Sequence, residues 1–262
     1  MTQLSRTSHF AIEMDHLPHE VTRQVVSCQN KMARYLFDIS CLKGIDECGA
    51  TRRIPPDFFR TYQKALTLYD ESVQFLLGYL HRQGFTVQCT EGCAHCCCHM
   101  PSGISIIELL YLYHGMHRSG AFPVYFRRCL EAEELWVEIL RSHRNLPPDL
   151  QGGEHDREAM LKNYNRLEQY CPFLQHSMCQ LYLYRPIACR MHFSLSPPAW
   201  CHPSHFQNPN AVRFNLEPGN NVKEALERLD ERLKLKVSDL MACGLLELTV
   251  NVMKFERIEW KQ

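Results

Sequence analysis

Cys89-Thr90-Glu91-Gly92-Cys93-Ala94-His95-Cys96-Cys97-Cys98 puts five cysteines within ten residues. Each thiol is a latent nucleophile, reductant and soft metal ligand, so a chain with so many side by side must pair the sulfurs or give them a metal. The stretch reads as an irregular loop, and its flanks decide the fold. Upstream, Phe59, Tyr62, Leu66, Tyr69, Val73, Leu76 and Leu80 alternate steps of three and four, one stripe along a long helix from Pro56 to Arg82 with Gly84 past its end. Downstream, Ser105-Ile-Ile-Glu108 ahead of Leu-Leu-Tyr-Leu-Tyr reads as a capping box that opens a helix directly after the cysteines.

Working outward, three further helices are expected at about 22–40, 124–143 and 155–169, the last two separated by Asn145-Leu-Pro-Pro and Gly152-Gly153. From Asn221, the residues Val222, Leu226, Leu229, Leu233 and Leu240 share a face. Glu224/Arg228 and Asp230/Lys234 stand as four-apart pairs on the wet side, and Gly244 reads as the stop. Leu246 to Val252 alternates with period two and reads as a short C-terminal strand, and Ser194 to Pro218 as a loop. The expected fold is mainly α, a helical domain around an irregular cysteine-rich metal-binding centre. Its parts are an N-terminal helical segment (1–85), a cysteine-cluster region (86–205) and a C-terminal helix and strand (206–262), together one folded unit.

The 262 residues are enough to bury a substantial core without disulfides or metal. Zero formal net charge with interspersed charges gives no electrostatic footprint for nucleic acid or an anionic membrane. Met1 to Thr7 lacks a signal-peptide layout, and Ile104 to Tyr113, the longest apolar stretch, is too short to span a bilayer. The expected location is the cytoplasm, where thiols stay reduced, and there fourteen cysteines favour metal over disulfides.

A second cysteine group lies in Cys171-Pro-Phe-Leu-Gln-His-Ser-Met-Cys179, Tyr184-Arg-Pro-Ile-Ala-Cys189-Arg190 and Cys201. With Cys89, Cys93, Cys96 and Cys97 it makes eight candidate ligands in two halves of the chain. Adjacent backbones make the side chains of Cys96, Cys97 and Cys98 diverge, so the three do not serve one tetrahedral ion. Arg185 and Arg190 read either as charges that offset thiolates around a bound cofactor or as partners of nearby carboxylates. Thiolate-only ligation suits zinc and iron–sulfur alike. The single C-x2-C knuckle, Cys93/Cys96, and the widening spacing of the second group favour the larger inorganic core.

Cys-x3-Cys-x2-Cys-Cys, then Cys-Pro-Phe-Leu, Cys, Leu-Tyr, Arg-Pro and Cys-Arg, resembles the YkgJ-type cysteine-cluster family over about residues 86–205. These are bacterial proteins with a zinc- or iron-chelating domain, related to flagellin lysine N-methylases. The resemblance implies a metal site at Cys89, Cys93, Cys96, Cys97, Cys171, Cys179 and Cys189, with Cys201 beside them. The extra Cys98 departs from the pattern.

Cys89-x3-Cys93-x2-Cys96 is also the cluster-binding spacing of radical S-adenosylmethionine enzymes, and Gly152-Gly153-Glu154 is similar to their methionine-binding turn. The preceding long helix argues against the strand–helix barrel those enzymes use. His95, His99, His192, His202 and His205 lie near the cysteines and are read chiefly as surface or supporting residues, and Glu108 as a cap. Cys28, Cys41, Cys48, Cys129 and Cys243 read as packing residues. The expected function is a metal-binding cysteine-cluster protein, iron–sulfur first, serving electron transfer or modification of another molecule through a protein redox partner or protein substrate. The alternatives are a zinc-organised module without catalysis and an S-adenosylmethionine-dependent protein lysine methylase.

Overall fold

The computed structural model describes residues 9–11, 17–144 and 154–260. Met1 to Thr7, Asn145-Leu-Pro-Pro and Gly152-Gly153 therefore lie outside the described residues. The chain is mainly helical, and among the described residues no helix is long and apolar enough to cross a membrane.

Helix α1 (His19–Ser40) buries Val21, Val25, Cys28, Met32, Leu36 and Ile39, spaced by threes and fours along one face. A short α2 (Cys48–Thr51) leads to α3 (Phe58–Arg82), whose buried stripe runs through Phe59, Tyr62, Leu66, Tyr69, Val73 and Leu76 as the periodicity requires. These two long helices pack along each other.

Helix α4 (Ile106–Arg118) has almost no wet side: Ile106 to Tyr113, Gly115 and Met116 are all buried. A helix apolar all round must be surrounded. Helix α5 (Phe122–Arg144), α6 (Glu154–Arg166), α7 (Asn220–Leu233) and α8 (Met241–Glu247) complete the set; α5, α7 and α8 pack on α4, α6 packs on α5, and α7 also packs on α1. The capping box forms as expected: Glu108 Oε2 accepts from both the backbone N–H and the hydroxyl of Ser105 at 2.8 Å. Asp230 of α7 adds a second cap, accepting the Ile106 N–H at 2.9 Å.

The strands are short. β1 (His9–Ala11), β5 (His192–Ser194) and β6 (Arg213–Asn215) form a sheet in the order β1-β6-β5, with β1 parallel and β5 antiparallel to β6. β2 (Arg53–Ile54) pairs in parallel with β7 (Glu259–Trp260), and β3 (Leu174–Gln175) with β4 (Met178–Cys179) makes a hairpin. Ser194 to Pro218 is thus more ordered than a loop, holding β6 and two 3-10 turns, Pro198–Cys201 and Asn208–Asn210.

The C-terminal third departs from expectation in three ways. The helix from Asn221 ends at Leu233, where Lys234 turns left-handed (φ 55°), well before Leu240. Lys234 reaches Asp46 at 3.8 Å, because Asp230 is taken by the α4 cap, while Glu224–Arg228 does form at 3.0 Å. Gly244 stops nothing: it lies inside α8, where a Cβ would stand 2.2 Å from the Ser238 carbonyl oxygen and 2.8 Å from Leu109, so it permits close approach to α4. Leu246 to Val252 is no strand: it continues α8 into a π-helix (Leu248–Met253), in which Thr249 is buried and its hydroxyl donates to the Leu245 carbonyl at 2.6 Å. The alternation was an accident of composition, since the buried positions Leu245, Leu246, Leu248, Thr249 and Met253 follow a helical face.

Two glycine substitutions distinguish these roles. Gly244→Ala is expected to destabilise the protein by roughly 1–3 kcal/mol through overpacking. Gly78→Ala in α3, whose nearest neighbour is the flexible Arg82 tip at 3.6 Å, is expected to stabilise by about 0.5–1 kcal/mol. Urea denaturation of both variants checks this. The second cap gives a pH dependence. Burial, partly offset by the Ile106 and Ile107 amides and reinforced by Glu108, lifts the Asp230 carboxyl from 3.8 to about 7. A carboxyl with a higher pKa folded than unfolded binds its proton more tightly in the native state. It therefore adds stability as pH falls from about 7 towards about 4, and no more below that. Asp230→Asn is expected to remove that portion of the slope when denaturation midpoints are compared from pH 8 to pH 4.

Candidate metal centre

Short backbone bonds, rather than long elements, hold the thiol-bearing stretches. The first leaves α3 and is fastened beside β5 by Gln88 N–H donating to the Ser194 carbonyl at 2.8 Å. Gly92, at φ 79°, supplies the left-handed residue of the turn in which Cys93 N–H reaches the Thr90 carbonyl at 3.1 Å. A 3-10 turn over His95–Cys98 follows. Three residues per turn send consecutive side chains apart, so Cys98 is fully buried, Cys97 half-buried and Cys96 exposed.

The second stretch joins the first directly: Cys171 N–H donates to the Cys97 carbonyl at 2.7 Å. From there Leu174 N–H closes onto the Cys171 carbonyl, and the β3–β4 hairpin sets Cys179 opposite Leu174. Its two turn residues, His176 and Ser177, both adopt positive φ (50° and 60°). Cys189 ends a 3-10 turn (Ile187–Cys189), and Cys201 ends the Pro198–Cys201 turn. None of the fourteen cysteines is joined in a disulfide.

Electrostatic neighbourhoods sort the eight candidate thiols. Desolvation, opposed by a bond from the Ser194 backbone and reinforced by Cys93, Cys96 and Cys201, pushes the Cys89 thiol up to about 11. Cys93 is raised by burial, opposed by the His95 backbone and aided by the same two thiols, Cys96 and Cys201. Burial likewise raises Cys171, where Cys189 and Cys179 add to it, and lifts Cys189 to about 12, where Cys179 and Cys96 add. Cys89, Cys93, Cys96 and Cys201 are one neighbourhood; Cys171, Cys179 and Cys189 are another. Cys96 links the two, because it also raises Cys189, and the adjacent Cys97 thiol is the chief cause of the raised Cys96 pKa. Among the described residues, no three His, Cys, Asp or Glu side chains converge into a ready-made ion cage. The donor set is all sulfur, drawn from both halves of the chain, and its chemistry fits zinc or iron–sulfur rather than a hard cation.

The two arginines are placed differently. The Arg185 guanidinium stacks on the Tyr182 ring at 3.5 Å, donates to the Tyr182 carbonyl at 3.1 Å, and its charge favours the thiolates of Cys96, Cys179 and Cys189. Arg190 is buried and spends its donors on protein oxygens: Asp70 Oδ2 at 2.6 Å and the carbonyls of Arg185 (2.8 Å) and Leu183 (2.9 Å). Its charge is felt at Cys179, but its hydrogen bonds take the carboxylate-partner reading.

The histidines also have local partners. His99 Nδ1 lies 3.0 Å from the Cys96 carbonyl, His192 Nδ1 2.7 Å from Asn215, and His202 Nδ1 2.9 Å from the Ser204 hydroxyl. His205 Nδ1 accepts the Gln207 N–H, and the His95 and His202 rings meet edge-on at 5.7 Å. Cys28, Cys48, Cys129 and Cys243 are buried as expected of packing residues, and Cys41 is exposed just past α1. Two participants were not anticipated. Asp70 gives no sign in the sequence, being one of many polar residues on the wet side of an amphipathic helix. Glu108 does more than cap: its second oxygen accepts the Ile187 N–H at 2.7 Å, two residues from Cys189.

The hairpin turn offers a check on this geometry. A two-residue turn with both residues left-handed suits Asn-Gly and strains His-Ser. Ser177→Gly is expected to stabilise the protein by about 0.5–1 kcal/mol in urea denaturation, and an unchanged or lower midpoint would contradict the turn.

No family model matches this chain, and neither a curated protein nor a solved structure does.

Proposed function

We propose that the chain is a thiolate-ligated metalloprotein whose metal is an iron–sulfur cluster, serving electron transfer or an iron–sulfur-dependent modification of another molecule. The observation that carries the reading is the Cys171–Cys97 backbone bond, with the mixed thiol neighbourhoods around it: cysteines from two remote stretches end as mutual neighbours. Cys89, Cys93, Cys96 and Cys201 would hold one centre. Cys171, Cys179 and Cys189 would hold another, with Cys97 at the boundary. A cluster held this way would supply one-electron chemistry.

The residues around it have their own tasks. Arg185 offsets thiolate charge from its stacked position on Tyr182. The fully buried Cys98, half-buried Cys97 and exposed Cys96 divide one turn between core and solvent, which lets adjacent cysteines serve different roles. The motif resemblance to the YkgJ-type family supports the same reading. A reducing compartment such as the cytoplasm keeps these thiols available, and the counterpart is a protein redox partner or protein substrate. Zinc held by the same thiolates is the alternative outcome of the test.

Cys93→Ser and Cys171→Ser are each expected to lower metal content, far apart in sequence though they are. The check is elemental and acid-labile sulfide analysis of anaerobically prepared protein, with visible absorbance that bleaches on reduction. Stoichiometric zinc without iron or sulfide, after expression with ample iron, sinks the iron assignment; unchanged metal in both variants sinks the array.

A further inference from the structure

The segment Leu183 to Arg190 carries Cys189 with no helix or strand longer than a 3-10 turn, yet bonds from two core helices grip it. From the α3 side, Asp70 Oδ2 accepts from the buried Arg190 Nη1 at 2.6 Å, and the other two arms of that guanidinium donate to the Leu183 carbonyl at 2.9 Å and the Arg185 carbonyl at 2.8 Å. From the α4 side, Glu108 Oε1 accepts the Ile187 N–H at 2.7 Å while its other oxygen is fixed by Ser105. The segment adds its own turn bonds, Cys189 N–H to the Pro186 carbonyl at 3.0 Å and Arg190 N–H to the Ile187 carbonyl at 2.8 Å. A planar guanidinium fixes all its acceptors at once, and a buried carboxylate with two committed oxygens cannot turn without losing a partner. The Cys189 backbone is thereby held by the protein alone.

We propose that Asp70, acting through Arg190, and Glu108, acting through Ile187, are positioning residues that preform the Cys189 loop, so that a thiophilic metal enters a finished half-site instead of ordering a loose one. The metal part of this rests on the reading above; the preformed loop does not. A pre-ordered site spares the metal the conformational entropy of fixing the loop, so the latch acts on metal affinity as well as on the loop itself. Asp70 is the handle for testing it, because its side chain is 49 % exposed whereas that of Arg190 is 6 % exposed. Removing its charge weakens the latch without opening the core.

The experiment uses the full chain, chelator-stripped under reducing conditions, as wild type, Asp70→Asn and Asp70→Glu. Amide exchange is read at Ile187, Cys189 and Arg190, and Zn2+ affinity by competition with a chelator. In the metal-free wild type these amides are expected to be protected. Asp70→Asn is expected to speed their exchange and weaken Zn2+ binding, each about tenfold or more, with Asp70→Glu restoring most of both and the urea midpoint little changed. Unprotected loop amides in the metal-free wild type, or Asp70→Asn exchanging like wild type, overturns the latch. Faster exchange with unchanged affinity overturns its role toward metal. A wild type that binds no Zn2+ and carries no iron refutes the metal reading and with it that role, while the exchange data still decide the preformed loop.

Discussion

The carboxyl group of Glu108, buried in the middle of the protein, accepts hydrogen bonds from two parts of the chain that are remote in sequence, Ser105 and Ile187. A carboxyl removed from water is costly unless its oxygens are satisfied, and burial raises its pKa against the opposing pull of these donors. The apolar surround of α4 drives it inward without specifying how far it slides or turns. Glu108 specifies both, because any shift of α4 leaves a buried oxygen unpaired. The same atom pair then fixes where the Cys189 loop lies relative to the core. Asp230 repeats the arrangement from α7, at the first amide of the same helix.

Much of the helical frame was legible because it follows from local rules. The stripe from Phe59 to Leu76 and the Ser105–Glu108 box are written in neighbouring residues, and no distant contact overrides them. The C-terminal third was not, because its signals are degenerate. A glycine after a helical stripe serves equally as a stop or as a gap for a crossing helix, and the Gly244–Leu109 approach decides which. Alternating Leu and Val fit a strand or one turn of a buried helix, and packing against α4 and α5 selects the helix.

The candidate site was legible in its residue types and opaque in its grouping. Spacing alone leaves every cysteine free to join any other. The partition rests on tertiary bonds such as Cys171 to Cys97, and on a turn that sends Cys96 and Cys98 opposite ways. Arg190 shows the same limit. Between a thiolate and a carboxylate partner, the sequence had no means to choose, since Asp70 reads as an ordinary polar position on α3.

The bond between Cys171 and Cys97 also orders events in time. Helices α1 and α3 are separated only by the short stretch that holds α2 and can pair early, whereas this bond closes over α4, α5 and α6. Non-local contacts return nothing until the loop entropy has been spent. On a ribosome adding roughly 5–20 residues per second, the Cys89–Cys98 stretch emerges several seconds before the cysteines that become its neighbours. For that interval it is an extended run of unshielded thiols, open to wrong disulfides, oxidation or a scavenged ion. The surroundings in which this chain is synthesised, more than those in which it works, therefore decide whether its thiols reach the folded arrangement intact.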